Sequence, residues 1–110
     1  MATAREIIEH VDELKPSTFS TTMKLAWINE ADTVIQVELL NIKPEDMVSV
    51  TDLNQSLTVP APWDRLYKPF LMAMIDFANG EYSSYQNDMN MFNMYYGEYA
   101  RWYQRTGGGN

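Results

Sequence analysis

Apolar residues recur every three or four positions through most of this 110-residue chain, the spacing of helices that bury one face. Ile7, Val11 and Leu14 make the first stripe. Thr3 and Glu6 in front of it form a capping box, and Pro16 behind it forces its predecessor out of the helical region. The pattern predicts a helix over 4–14. Ser20 is a good N-cap for a second helix over 21–41, with Ile28, Ala31, Ile35, Leu39 and Ile42 inward and Trp27 and Val34 on the flank. Its other face carries Asn29, Glu30, Asp32, Thr33 and Gln36, and is expected to be wet.

Periodicity then lapses. Residues 43–62 place Pro44, Pro60 and Pro62 among Asp46, Asp52 and Asn54. Two stretches, 47–50 and 57–59, are apolar enough to be extended. So long a connection without structure is unusual in a compact domain, and it reads as a functional loop, a small hairpin or a plain surface connection. Pro62 and Asp64 suit the first turn of a third helix, whose stripe is Leu66, Phe70, Ala73 and Phe77. Pro69 lies within two turns of the start, where a kink is mild. Asn79-Gly80 ends this helix, because glycine supplies the left-handed C′ position. The same dipeptide turns β-hairpins, but helical spacing on both sides favours the cap.

The fourth helix, from Tyr82 or Ser83 to Arg105, is the most distinctive. Tyr85, Met89, Phe92, Tyr96, Tyr99 and Tyr103 are spaced by four, three, four, three and four, which puts them on one stripe. So wide an aromatic and methionine face needs cover from the rest of the domain or from another subunit. Gly97 inside it reads as a point of close helix packing, since glycine otherwise costs about 1 kcal/mol there. Residues 106–110, with three consecutive glycines, are expected to form a flexible tail. The prediction is an all-α bundle of about four helices, one domain over 1–105, with an irregular central loop or small hairpin and a Gly-rich tail.

Composition chiefly excludes. A net charge of −7 disfavours binding nucleic acid through its phosphates, and the eight basic residues are spread along the chain. There is no cysteine, so disulfides and thiolate chemistry are out. The N-terminal stretch lacks the apolar run of a signal peptide, and the longest apolar run, 70–75, is far too short to span a bilayer; the chain is expected to be soluble and unexported.

Candidate chemistry is thin. His10 is the lone histidine and has no neighbouring nucleophile in sequence; it reads as a surface histidine, and zinc has too few ligands. Residues 52–56 resemble the opening of a calcium loop, but Leu57 stands where glycine is required and Trp63 where the last glutamate belongs. No glycine-rich phosphate loop precedes a helix, and no carboxylate pair is singled out. The expectation is a protein that is not an enzyme and carries no metal or cofactor. Arg101, Trp102, Tyr103 and Arg105 admit three readings: base stacking, a core tyrosine flanked by snorkelling arginines, or an interface anchor of the hot-spot residue types.

At this point the order of segments is informative. Residues 4–20, 24–32 and 57–105 together resemble small head–tail connector (adaptor) proteins of long-tailed bacteriophages and prophages. The cues are Trp27-Ile28-Asn29-Glu30, the Val59-Pro60-Ala61-Pro62-Trp63-Asp64 approach to the third helix, the junction 76–82, and the ending Tyr99-Ala100-Arg101-Trp102-Tyr103. Residues 106–110 depart from the pattern. The resemblance implies a structural virion protein that assembles with itself into a cyclic ring, usually a dodecamer, beneath the portal. Such a ring extends the DNA channel and meets a stopper or tail-completion protein. It implies localisation at the head–tail interface of the virion, in the host cytoplasm before assembly, with no membrane partner. An acidic channel wall would let DNA pass without specific binding. Candidate interface residues are Trp63, Tyr99, Arg101, Trp102, Tyr103 and Arg105, with 43–62 as a possible inter-subunit or channel loop. The alternative of a different class is a small acidic inhibitor or DNA mimic that binds a host protein.

Overall fold

Thr3 and Ser20 open the first two helices as their side chains suggest. In the computed structural model, which describes residues 2–107, Thr3 Oγ1 accepts from the Glu6 amide at 3.3 Å and Ser20 Oγ accepts from that of Met23 at 3.1 Å. Each satisfies an amide that the first turn leaves without an intrahelical partner. The first helix, α1, spans Ala4–Leu14, and the second, α2, spans Thr21–Glu38. A 3-10 turn at Trp63–Leu66 runs directly into α3, Tyr67–Ala78, and α4 spans Tyr82–Arg105. The fold is all-α; among the described residues there are four α-helices and no strand.

Helix ends follow local chemistry. Gly80, at φ +75, lies in the left-handed region; its amide bonds Phe77 O at 3.0 Å and that of Glu81 bonds Asp76 O at 2.8 Å. These are the two bonds of a Schellman motif, so Asn79-Gly80 caps α3 and does not turn a hairpin. α2 stops three residues short of its expected end at 41. Asn41, at φ 58, reverses the chain, and the Ile42 amide closes on Gln36 O at 2.9 Å. Asparagine reaches that region more readily than other residues with a Cβ. Pro69 sits in the first turn of α3, where its missing N–H is not needed.

The core draws on all four helices. Ile7, Val11, Ile28, Ile35, Leu66, Leu71, Ile75 and Tyr99 are buried in one cluster, joined by Val50, Leu57 and Val59 from the irregular segment. Two expected core positions are exposed. Leu14 is 62% exposed, because α1 rests on Ala4, Ile7, Ile8 and Val11. Phe77 is 54% exposed, its ring packed on Tyr82 and Tyr85 across the α3–α4 turn. The α4 stripe is largely covered by its own chain: Tyr99 is buried, while Phe92 packs on Phe70 and Tyr96 with centroids 5.2 and 5.8 Å apart. At about 36 Å for its 24 residues, α4 sets the 40 Å long dimension. Gly97 is not a close-packing point, since a Cβ there would meet only the Arg101 guanidinium at 3.4 Å.

Residues 43–62 form neither hairpin nor free loop. A 3-10 turn at Pro44–Asp46 is followed by extended chain, with a lone antiparallel bridge between Thr3 and Ser56. The expectation that α2's polar face is wet holds for Glu30 but is overturned at Asp32 and Gln36, each 2% exposed, because this chain lies across them. The expected tail over 106–110 begins with a closing turn, in which Thr106 Oγ1 donates to Trp102 O at 3.0 Å; residues 108–110 lie outside the described residues.

Candidate functional site

Asp32 organises the segment that sequence left open. Its Oδ1 accepts from the Thr58 amide at 2.9 Å and from the Tyr67 hydroxyl at 2.5 Å. Its Oδ2 accepts from the Thr58 hydroxyl at 2.7 Å and from Gln36 Nε2 at 3.0 Å. Gln36 in turn clasps Val48: Nε2 donates to Val48 O at 2.8 Å while Oε1 accepts from Val48 N at 2.9 Å. Asn29 Oδ1 accepts from Val50 N at 2.6 Å, and the Tyr67 oxygen accepts from Val59 N at 3.0 Å. The polar edge of α2 thus does the work of a neighbouring strand, answering the amides of an extended chain that has no sheet to join. Burial, with the Asp32 charge and hydrogen bond behind it, drives the Tyr67 phenol far above its ordinary range, so it remains a donor. These residues are saturated by one another and hold the segment in place.

The candidate interface residues fall into two groups. Trp63 and Trp102 stack with centroids 4.1 Å apart, and Tyr99 lies 6.1 Å from Trp63 and 6.0 Å from Trp102. Tyr103 leans on Tyr99 at 6.1 Å. Tyr99 is buried, whereas Trp63, Trp102 and Tyr103 are half-buried, so one side of this aromatic joint faces solvent. Burial first, then the neighbouring Tyr103, raises the Tyr99 phenol above its usual value. Arg101 and Arg105 are exposed. Sequence did not single out Arg65, which stabilises the same region: it pairs with Glu98, and its guanidinium sits 4.3 Å over the Tyr95 ring.

Two clefts flank α3. The first, of about 230 Å³, lies between α1 and the start of α3; Glu6, His10, Asp64, Arg65 and Lys68 line it with both charge signs. The second, of about 310 Å³, runs between α3 and α4 over Pro69, Met72, Met91 and Tyr95, with Lys68 and Asp88 also on its walls. Neither brings His10 to a nucleophile with an orienting acid. Among the described residues no group of three histidines or carboxylates is arranged for a metal, and no helix is long and apolar enough to cross a membrane.

A second buried cluster also escaped the sequence. Lys15, just beyond α1, donates to both oxygens of Asp76 on α3 at 2.7 Å, and the Asp76 side chain is fully buried. Asp88 of α4 reaches the same carboxyl. Burial pushes the Asp76 acid up, but hydrogen bonds from Asp88 and Lys15 and the Lys15 charge more than reverse this and hold it below its ordinary range. The raised partner is Asp88, driven by burial and by Asp76 to about 7. Burial likewise opposes the Lys15 ammonium, yet Asp76, with Asp88 and Glu81 behind it, holds it above its ordinary range. Residues 15, 76 and 88 share no local pattern, so only the packing of three elements joins them.

Comparison with protein-family models, with curated proteins and with solved structures finds no match to this chain.

Proposed function

We propose that this chain is a structural, non-enzymatic subunit that works by assembly, a head–tail connector (adaptor) of a long-tailed phage or prophage. The observation that carries the reading is the aromatic joint. Two of the sequence cues behind the resemblance, the 59–64 approach and the 99–103 ending, lie far apart in the chain but meet as stacked rings at Trp63 and Trp102. A third cue, the 76–82 junction, is a rigid Schellman turn between α3 and α4. The cues are therefore folding joints that set the angle of α4, which suits a part whose shape is its function. On this reading the half-exposed side of the joint, with Arg101 and Arg105 beside it, meets the portal or the neighbouring subunit, since desolvated tryptophan, tyrosine and arginine dominate such contacts. Copies pack side by side in a cyclic, heterologous ring. Exposed acids of the irregular segment, Glu45, Asp46 and Asp52, are candidates for the channel wall.

The test is to add the purified chain to portal-bearing, DNA-filled capsids that lack it and to image the vertex. A ring of added density below the portal, with DNA retained, is the expected result. A vertex without density, together with specific capture of a host DNA-binding protein by a monomeric chain, would replace this reading by that of an acidic inhibitor or DNA mimic. Reversing Glu45, Asp46 and Asp52 to lysine is expected to slow DNA release from filled particles; unchanged packaging and release would remove these acids from the channel.

A further inference from the structure

Asp88 Oδ2 is buried and receives no hydrogen bond from any donor in the protein. The group within its reach is the Asp76 carboxyl, which is another acceptor. Two acceptors bond only through a proton. Two of the three ammonium hydrogens of Lys15 are turned to the oxygens of Asp76, and its hydrogen bonds go there and not to Asp88. One cation thus faces two carboxyl groups in a site where the Asp76 side chain has no solvent contact. With both acids ionised the site carries an uncompensated negative charge, and Glu81, at the turn between the helices, adds to it. The remaining cations near Asp88, Lys68 and Arg65, line the groove onto which it opens, and Arg65 is engaged by Glu98.

We propose that Asp76 and Asp88 share one proton at the base of the α3–α4 hairpin, making a clasp that is closed in mildly acid solution and loosens the first half of α4 in mildly alkaline solution. The position favours this outcome. Asp88 lies in the second turn of α4, and in the first turn Tyr82 and Tyr85 pack on the exposed ring of Phe77. When the proton leaves, like charges meet across the helix interface, and water must enter to screen them. Deeper in the bundle, Phe92 and Tyr99 hold the rest of α4 to the core regardless of pH. The responsive part is therefore the stretch of α4 before Phe92, together with the α3–α4 groove that its Met91 lines.

The full chain tests this in two ways. A side-chain carboxyl titration by carbon-13 NMR is expected to place the Asp88 midpoint near neutrality, with Asp76 reporting the same event. Hydrogen exchange, corrected for intrinsic rates, is expected to show amides before Phe92 opening roughly tenfold more often at about pH 8.5 than at about pH 5.5, while α1 and α2 amides that exchange by local fluctuation are unchanged. In Asp88→Asn the amide donates to Asp76 without a titrating proton, and the difference should vanish. An Asp88 midpoint in the ordinary carboxylate range, or equal opening at both pH values in the natural chain, would overturn the proposal. The NMR titration needs no variant, so it decides even if Asp88→Asn does not fold.

Discussion

Single side chains decide more here than their number suggests. Asp32 is the clearest case, since four donors converge on its two oxygens. Asp32→Ala leaves buried donors at Gln36, Thr58 and Tyr67 unanswered, and is expected to cost about 3–5 kcal/mol in a denaturant titration. Tyr67→Phe removes one donor and orphans the Val59 amide, which is expected to cost about 1–3 kcal/mol. Because both changes break one network, the double variant should fall short of the sum, a departure that a double-mutant cycle measures. The acid pair sets the pH dependence. The Asp88 acid is raised from 3.8 to about 7, so the stability it contributes is complete below the lower value and lost as pH rises through the upper one. The Asp76 acid is lowered, so its contribution is lost as pH falls through its depressed pKa. Stability should therefore peak near about pH 4, decline by roughly 1–2 kcal/mol by about pH 8 and change little above it, the pKa shift being discounted for solvent screening. Melting curves across this range, with Asp88→Asn flat above pH 5, provide the check.

At the scale of elements, the ends and the faces of helices are governed by different things. Ends are local. Thr3, Ser20 and Gly80 terminate helices through bonds to residues within a few positions, so their roles are readable from the chain itself. Two glycines make the point by opposite signs. Gly80→Ala meets no neighbour within 4 Å, yet forces a Cβ into the left-handed region and should destabilise by about 1–2 kcal/mol. Gly97→Ala lies mid-helix against the movable end of Arg101, and should stabilise by about 0.5–1 kcal/mol in the same thermal melt. Faces are not local. The spacing of Asn29, Asp32 and Gln36 marks a polar stripe on α2, but water and a covering chain are equally good partners for such a stripe. A polar stripe beside a long segment with extended pieces and no sheet was the available signal, and it points to the hydrogen bonds at Val48, Val50 and Thr58.

For the whole molecule, these side-chain bonds make the irregular segment part of the cooperative unit. Val50, Leu57 and Val59 stand in the same core cluster as the four helices. Unfolding followed by tryptophan fluorescence, which reports on Trp27 and the Trp63–Trp102 joint together, and by helical circular dichroism should therefore give one coincident transition. In native-state hydrogen exchange the amides of Val48, Val50, Thr58 and Val59 should be protected nearly as well as those of α2, and exposed Asp52 should not. Separate transitions, or a fast-exchanging Thr58, would show that the segment is merely draped on the bundle.

The sequence by itself determined the helical class, the caps, the stripes of α1 to α4 and the Asn79-Gly80 turn. All of these rest on interactions between residues a few positions apart, where backbone geometry makes spacing equivalent to contact. It also brought the cues at 59–64 and 99–103 to notice without saying that they touch. Only the tertiary structure decided that Asp32 and Gln36 are buried, that Leu14 and Phe77 are not, that Trp63 stacks on Trp102, and that Lys15 serves two acids on two other helices. Burial and long-range pairing depend on which surfaces meet. A polar side chain carries no mark of whether water or another segment will answer its hydrogen bonds.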